Sequence, residues 1–330
     1  MCLSNKYKSI LSFFCMIFLY IPHAYAIKID ESFNANWTGV EIVDTDHETA
    51  DKIRNHIKLP IGKPVIYSEA EKYKSSCKEF NENSANLNCS ILLYSDGSAY
   101  LNVESVANNN QNIYRDILIT KNKNLSIPKK LDSFYEKFDE RLSFLMTNNM
   151  EFDESHHNCY LDFSDPALHE ISKKIAQQCQ IYNDLLLKVI RFSHNVEERR
   201  KAAILLSWSC DPNNLAYIAK WDLLFDPDAK VRNNLARAYS SRISSEKDIA
   251  SLASLIPTYC KMMRFPTHMD RNKALFSINE IIGKYPELSG SIHPQCINRI
   301  SHIGEMSILE NVRDEAKEIL NKLKQGNQHS

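Results

Sequence analysis

One helical pattern recurs four times in the C-terminal half of the chain, and it limits the folds that this half can adopt. Each copy has an arginine followed by small or apolar residues at helical spacing. The clearest copy reads DPDAKVRNNLARAY at 226–239, and the arginines of the four copies are Arg199, Arg232, Arg271 and Arg313. Successive arginines are 33, 39 and 42 residues apart, a spacing typical of repeats built from two helices. Because one helix pair cannot bury both of its faces, such pairs stack on each other.

The copy at 226–239 resembles the second helix of a HEAT repeat, in which an acidic turn precedes Val-Arg and an apolar stripe. NVEERRKAAILLSW at 195–208 resembles it next best, and HMDRNKALFSINEII and NVRDEAKEILNKL are weaker copies. The resemblance covers about 165–324 and implies an armadillo-type helical repeat domain. It also implies that each recurring arginine supports the turn of its own or the adjacent repeat. An ordinary helical bundle is the alternative.

The N-terminal half mixes strand and helix patterns. WTGVEIVD at 37–44 alternates and predicts a strand. Thr45 follows as the predicted cap of a helix, and a second helix is predicted over 69–80. Asp96-Gly97 then predicts a two-residue hairpin turn between two strands.

The resulting order, strand, helix, helix, strand and strand, resembles a POTRA domain of the bacterial envelope over about 37–106. The predicted fold class is therefore α+β, with this small domain at 27–106 and an all-α HEAT-like domain at 165–330. Residues 107–164 are predicted to hold a polar linker, one helix and a loop.

The first 26 residues predict an export signal. Lys6 and Lys8 precede the apolar run ILSFFCMIFLYI, and Ala24-Tyr25-Ala26 matches a cleavage site. We therefore expect a periplasmic or secreted protein, with an uncleaved membrane anchor as the alternative. No later stretch is apolar enough for us to expect a membrane span after cleavage.

Glycine usage excludes several enzyme classes. The chain has seven glycines, whereas phosphate-cradling loops need two or three within a few residues. No catalytic motif is found and no cofactor is predicted. The net charge of −1 also gives no reason to expect a nucleic-acid partner. The oligomeric state stays open.

A cluster of imidazole and thiol groups in the 153–170 region is the best metal candidate. It consists of His156, His157, Cys159 and His169, all of which are possible zinc ligands. A metal-dependent hydrolase is accordingly the enzymatic alternative. The adjacent residues His156 and His157 cannot readily both reach one tetrahedral ion from a regular backbone. In an exported chain, moreover, Cys159 is expected to form a disulfide.

Cysteine pairing is predicted at two places. Seven of the nine cysteines lie beyond residue 26, so at least one is unpaired or paired between chains. Cys77 and Cys89 flank the junction of the second helix and second strand, where a disulfide would stabilise a small domain. Cys159 is expected to bond to another cysteine, and Cys179 is the nearest candidate along the chain, although the connectivity stays open.

The leading functional hypothesis is an exported, non-catalytic scaffold that binds a protein partner in the bacterial envelope. On the helix at 226–239, Val231, Leu235 and Ala238 are predicted to face the core. The candidate partner-binding residues on the opposite side are Lys230, Asn233 and Arg237. A structural envelope component and a periplasmic immunity protein are the remaining alternatives.

Overall fold

The computed structural model describes residues 32–80, 86–94, 96–106, 114–117, 125–148, 150–157, 160–243 and 248–326. The predicted export signal lies outside these residues. The described chain forms two compact units. The strand unit comprises 32–106 and 298–318, and the helical unit comprises the described residues of 114–297 and of 319–326.

The strand unit has the predicted order of elements with one additional short strand. Its elements are β1 (Ser32–Ile42), α1 (His47–Ile57), β2 (Pro64–Ile66), α2 (Tyr67–Glu79), β3 (Asn86–Leu93) and β4 (Ser98–Val106). The sheet order is β2-β1-β4-β3. The first strand runs parallel to β4 and the other pairs are antiparallel. Because β4 is central, its alternate residues Ala99, Leu101 and Val103 are buried.

Two local predictions in this unit need small corrections. The cap of α1 is Asp46 rather than Thr45, because the Asp46 carboxylate accepts a hydrogen bond of 2.8 Å from the amide of Thr49. That bond holds the pKa of Asp46 below its ordinary value. The hairpin is present, and Gly97 has φ of +80°, but β3 ends at Leu93, so the turn is longer than two residues.

One face of the sheet packs against residues from the C-terminal part of the chain. Glu41 of β1 is fully buried, and its carboxylate accepts hydrogen bonds from Ser307 Oγ (2.7 Å) and the Ile308 amide (2.8 Å). Gly39 lies directly under Ile308, where an added Cβ would come within 2.5 Å of the Ile308 Cδ1 atom. Residues 298–318 therefore complete the strand unit, although their sequence suggests only another helical repeat.

Replacing Glu41 with Ala is expected to lower the free energy of unfolding of the strand unit by about 1–3 kcal/mol, because it strands two buried donors. Urea denaturation followed by circular dichroism measures this change. Glu48→Ala is the matched control, since the Glu48 carboxylate is exposed and forms an ion pair with Lys52. Equal stability of the two variants would show that Glu41 does not hold residues 298–318 to the sheet.

Helices make up most of the remaining chain. They are α3 (Lys129–Thr147), α4 (Pro166–Phe192), α5 (Val196–Leu205), α6 (Asn214–Lys220), α7 (Ala229–Ile243), α8 (Ile249–Met262), α9 (His268–Lys284), α10 (Pro294–Met306) and α11 (Glu310–Gly326). The helices α5, α7 and α9 pack side by side, and α4 packs against α5. These three helices carry Arg199, Arg232 and Arg271, so the recurring pattern does mark neighbouring helices. The predicted α+β fold class is confirmed.

The predicted loop before α4 contains a β-hairpin. Its strands are β5 (Glu154–His157) and β6 (Tyr160–Phe163). Phe163 packs on Phe138 of α3, with ring centroids 5.2 Å apart, and Phe138 in turn meets Trp208 edge-on at 5.0 Å. This aromatic cluster anchors the hairpin and α3 to the helical unit.

The cysteines pair partly as predicted. Cys77 and Cys89 form a disulfide, with their Cα atoms 6.4 Å apart. A second disulfide joins Cys260 of α8 to Cys296 of α10, with a Cα separation of 5.3 Å. The predicted bond to Cys179 is wrong, because this residue is a buried free thiol that donates to the carbonyl of Leu205 at 3.3 Å.

None of the described helices combines the length and the apolar character that a bilayer crossing requires.

Candidate functional site

The arginine of α5 links its own turn to the turn that precedes α7. Arg199 is buried, and its Nε and Nη2 atoms donate to the two carboxylate oxygens of Asp226 at 3.0 and 3.1 Å. Its Nη1 atom donates to the carbonyl of Ser193, just before α5, at 3.0 Å. One guanidinium therefore joins two turns, one at Ser193 and the other at Asp226, which is 33 residues further along the chain. A flexible lysine side chain could not reproduce this planar geometry.

The arginine of α7 repeats the arrangement one step further along the row. Arg232 Nε and Nη2 donate to Asp270 Oδ1 and Oδ2 at 3.0 and 2.6 Å. Its Nη1 atom donates to the carbonyl of Asp226 at 2.7 Å. Asp226 thus receives Arg199 on its side chain and Arg232 on its backbone, which makes the links continuous.

The arginine of α9 keeps the contact with its own turn, because Arg271 Nη1 donates to the carbonyl of Pro266 at 2.6 Å. The predicted structural role is therefore confirmed for Arg199, Arg232 and Arg271. Arg313 lies in the strand unit and is half-buried. We call the bonds that join Arg199 to Asp226 and Arg232 to Asp270 the arginine ladder.

Burial and pairing act in opposite directions on the ladder. Burial disfavours the charged guanidinium of Arg232, but the charge and hydrogen bonds of Asp270 outweigh that effect and raise the pKa of Arg232. Removing one partner would therefore leave a buried ion without compensation. The pairing of Arg199 with Asp226 and of Arg232 with Asp270 is not apparent from the repeated pattern, because one aspartate lies six residues before a recurring arginine and the other lies directly beside one.

The three candidate partner-binding residues of α7 alternate along the helix with its buried core residues. Lys230, Asn233 and Arg237 are all half-buried rather than fully exposed. Arg237 forms an ion pair with Glu154 of β5. The hairpin therefore already occupies part of this side, and Arg237 has a structural role in addition to any contact with a partner.

Two lysines on the same side are electrostatically disfavoured. Burial, followed by the nearby charge of Arg200, lowers the pKa of Lys230. Burial, followed by the charge of Arg237, lowers the pKa of Lys273 of α9 to about 8, while Glu154 opposes the shift. We call Lys230, Asn233 and Lys273 the outer face. The carboxylates already near these lysines, Asp228 for Lys230 and Glu154 for Lys273, only partly offset the effect of burial.

The pKa of Lys273 predicts a pH dependence of stability. Between pH 8 and about 10 the unfolded chain holds a proton that the folded chain has released, so the stability of the helical unit rises with pH. We expect Lys273→Met to remove a rise of about 1–2 kcal/mol across that window. Urea denaturation of both proteins at several pH values measures the difference. Parallel pH profiles would show that Lys273 titrates normally.

The helix α3 covers the neighbouring side of α5. Lys201 of α5 forms an ion pair of 2.6 Å with Asp132 of α3, and the amide of Ile127 donates to Glu198 at 2.7 Å. Burial raises the pKa of Tyr135 on α3, and the carboxylate of Asp139 adds to the effect. The helix α3 therefore covers part of the side of α5 that carries Lys201.

The candidate metal ligands are only partly described. His156 and His157 belong to β5, whereas Cys159 lies outside the described residues. His169 is on α4, and its Nδ1 atom is 2.8 Å from Asp162 Oδ1. Within the described part of the chain, no group of three His, Cys, Asp or Glu side chains is arranged to hold a metal ion.

Comparison of the chain with models of known protein families and with curated proteins finds no match. We therefore assign no family to the chain.

Proposed function

We propose that this protein is an exported, non-catalytic scaffold whose helical unit binds a protein partner through the outer face. The observation that carries the proposal is the arginine ladder. In the ladder, the recurring arginines Arg199 and Arg232 are used for contacts within the helical unit. We infer that recognition then falls to the half-buried polar residues of α7 and α9, namely Lys230, Asn233 and Lys273.

The ladder also supports the HEAT-like description of the helical unit. An acidic turn, a following Val-Arg pair and an apolar stripe occur together in 226–239. The arginine of that motif binds its own turn and the next repeat, as expected for a stack in which each repeat is stabilised by its neighbours. A rigid stack gives a partner a preorganised surface, which reduces the entropy lost on binding.

Two further features support export to the bacterial envelope. The disulfides Cys77–Cys89 and Cys260–Cys296 fit an oxidising compartment. The sheet of the strand unit, with a parallel β1–β4 pair beside the β3–β4 hairpin, fits the proposed POTRA-like docking module. Detection of the mature chain, without residues 1–26, in a periplasmic fraction tests the location.

The partner-binding proposal is tested with charge-reversal variants of the outer face. Lys230→Glu/Asn233→Glu leaves Arg237 unchanged, because altering that residue would also break its ion pair with Glu154. Lys188→Glu, at an exposed position of α4, is the matched control. Each protein is used for affinity capture from the native host, and the captured partner is then purified for titration.

We expect the outer-face variant to bind the purified partner at least about tenfold more weakly, a loss of about 1.4 kcal/mol, with the control unchanged. Equal affinity of the variant and the control would refute recognition by this face. Tight one-to-one binding together with protection of cells from a toxin would identify the partner as the target of an immunity protein.

A further inference from the structure

A short segment of the predicted linker inserts into the helical unit. The side chain of Arg115 is only 7% exposed. Its Nη1 and Nη2 atoms donate to the carbonyls of Arg191 (3.0 Å) and Ile190 (2.6 Å), at the C-terminal end of α4. Its backbone amide donates to the carbonyl of Phe225 at 2.8 Å. The segment is therefore held by its backbone as well as by its side chain.

The groups around Arg115 form a site with specific chemistry. The last carbonyls of a helix lack partners within the helix and carry partial negative charge. Here they lie beside the buried carboxylate of Asp226, which pairs with Arg115 as well as with Arg199. A guanidinium has five donors in a fixed plane and can satisfy carbonyls and carboxylate together, whereas an ammonium cannot adopt this geometry.

The residue before Arg115 occupies an aromatic site next to the ladder. The ring of Tyr114 stacks on Phe265, with centroids 5.1 Å apart and planes inclined by 3°. The guanidinium of Arg232 lies 5.1 Å from the centroid of the Tyr114 ring. Stacking and cation–π contacts of this kind favour a flat aromatic side chain at this position.

We propose that these surroundings form a peptide-binding site for an aromatic residue followed by arginine, and that Tyr114-Arg115 is its internal ligand. The same site accepts an external peptide of this chemistry once the internal segment no longer fills it. This inference goes beyond the proposed function, because the site is built from Asp226, Phe265 and the end of α4 rather than from the outer face. The unaltered chain is closed to such peptides by its own segment.

The test uses the full chain in which residues 110–117 are replaced by a flexible Gly/Ser sequence of the same length, and a capped synthetic peptide with the sequence of residues 110–117, NQNIYRDI. Isothermal titration measures binding to this variant and to the unaltered chain. Two control peptides replace the arginine by lysine or the tyrosine by alanine. Arg237 and the outer face are unchanged in every protein.

We expect one peptide to bind per variant chain with a Kd below about 1 mM, and at least about tenfold weaker binding to the unaltered chain. The lysine peptide should bind at least about tenfold more weakly than the arginine peptide, because it loses the planar donors. No binding to the folded variant, or equal binding to both chains, would overturn the proposal. If the variant is unfolded, excess peptide should restore its helical circular dichroism, and failure to do so would also overturn it.

Discussion

Replacing Asp226 with Ala is expected to destabilise the helical unit by about 3–5 kcal/mol, the range for breaking a buried ion pair. The Asp226 carboxylate is fully buried and pairs with both Arg115 and Arg199. Without it, two nearly buried guanidinium groups lose their counter-ion. Asp226→Asn should be less severe, because the amide oxygen still accepts a hydrogen bond while the charge is lost.

Urea denaturation followed by circular dichroism measures these changes. Asp184→Ala removes an exposed carboxylate from α4 and should change stability by no more than about 0.5 kcal/mol. The free energy of unfolding is therefore expected to be lowest for Asp226→Ala and higher for Asp226→Asn. For Asp184→Ala it should be close to that of the unaltered protein. An Asp226→Ala chain as stable as the Asp184→Ala control would mean that the ladder contributes nothing to the stack.

The second large effect is expected at the next step of the ladder. Arg232→Met alone should cost about 3–5 kcal/mol, because it leaves Asp270 buried without its counter-ion. Adding Asp270→Leu should recover part of that loss, since an apolar pair of similar volume needs no charge compensation. The recovery stays partial, because the carbonyl of Asp226 also loses a donor when Arg232 is removed.

A double-mutant cycle over Arg232 and Asp270 measures this coupling. Residues in direct contact within a buried network typically show interaction energies of about 0.5–3 kcal/mol, and we expect a value in the upper half of that range. Strict additivity of the two substitutions would contradict the ladder. The same cycle on Lys173 and Glu170, an exposed ion pair on α4, should give a small interaction energy.

These two results would separate stability from recognition. Asp226, Arg232 and Asp270 lie within the core, whereas Lys230 and Asn233 lie on the outer face. If a ladder substitution abolishes partner binding, the cause would therefore be unfolding of the helices that carry the outer face. Loss of binding after Lys230→Glu/Asn233→Glu, with unchanged stability, would report the contact itself.

Much of the local architecture follows from sequence alone. The element order of the strand unit, the helix predicted over 69–80 and the hairpin at Gly97 agree with the structure to within a few residues. Helical spacing also placed Val231, Leu235 and Ala238 in the core. These features depend on neighbouring residues, because caps, turns and amphipathic periodicity are set within one or two turns of chain.

The tertiary structure alone decided the contacts between distant segments. Polar composition indicates a linker around Arg115, yet that side chain is held by Asp226, 111 residues away. The disulfide between Cys260 and Cys296, the assignment of residues 298–318 to the strand unit, and the pairing of Arg237 with Glu154 are equally absent from any local pattern. The residues next to an arginine or a cysteine do not identify its partner, because a chain of 330 residues offers many alternative partners. Only packing of the elements fixes which of them come within bonding distance.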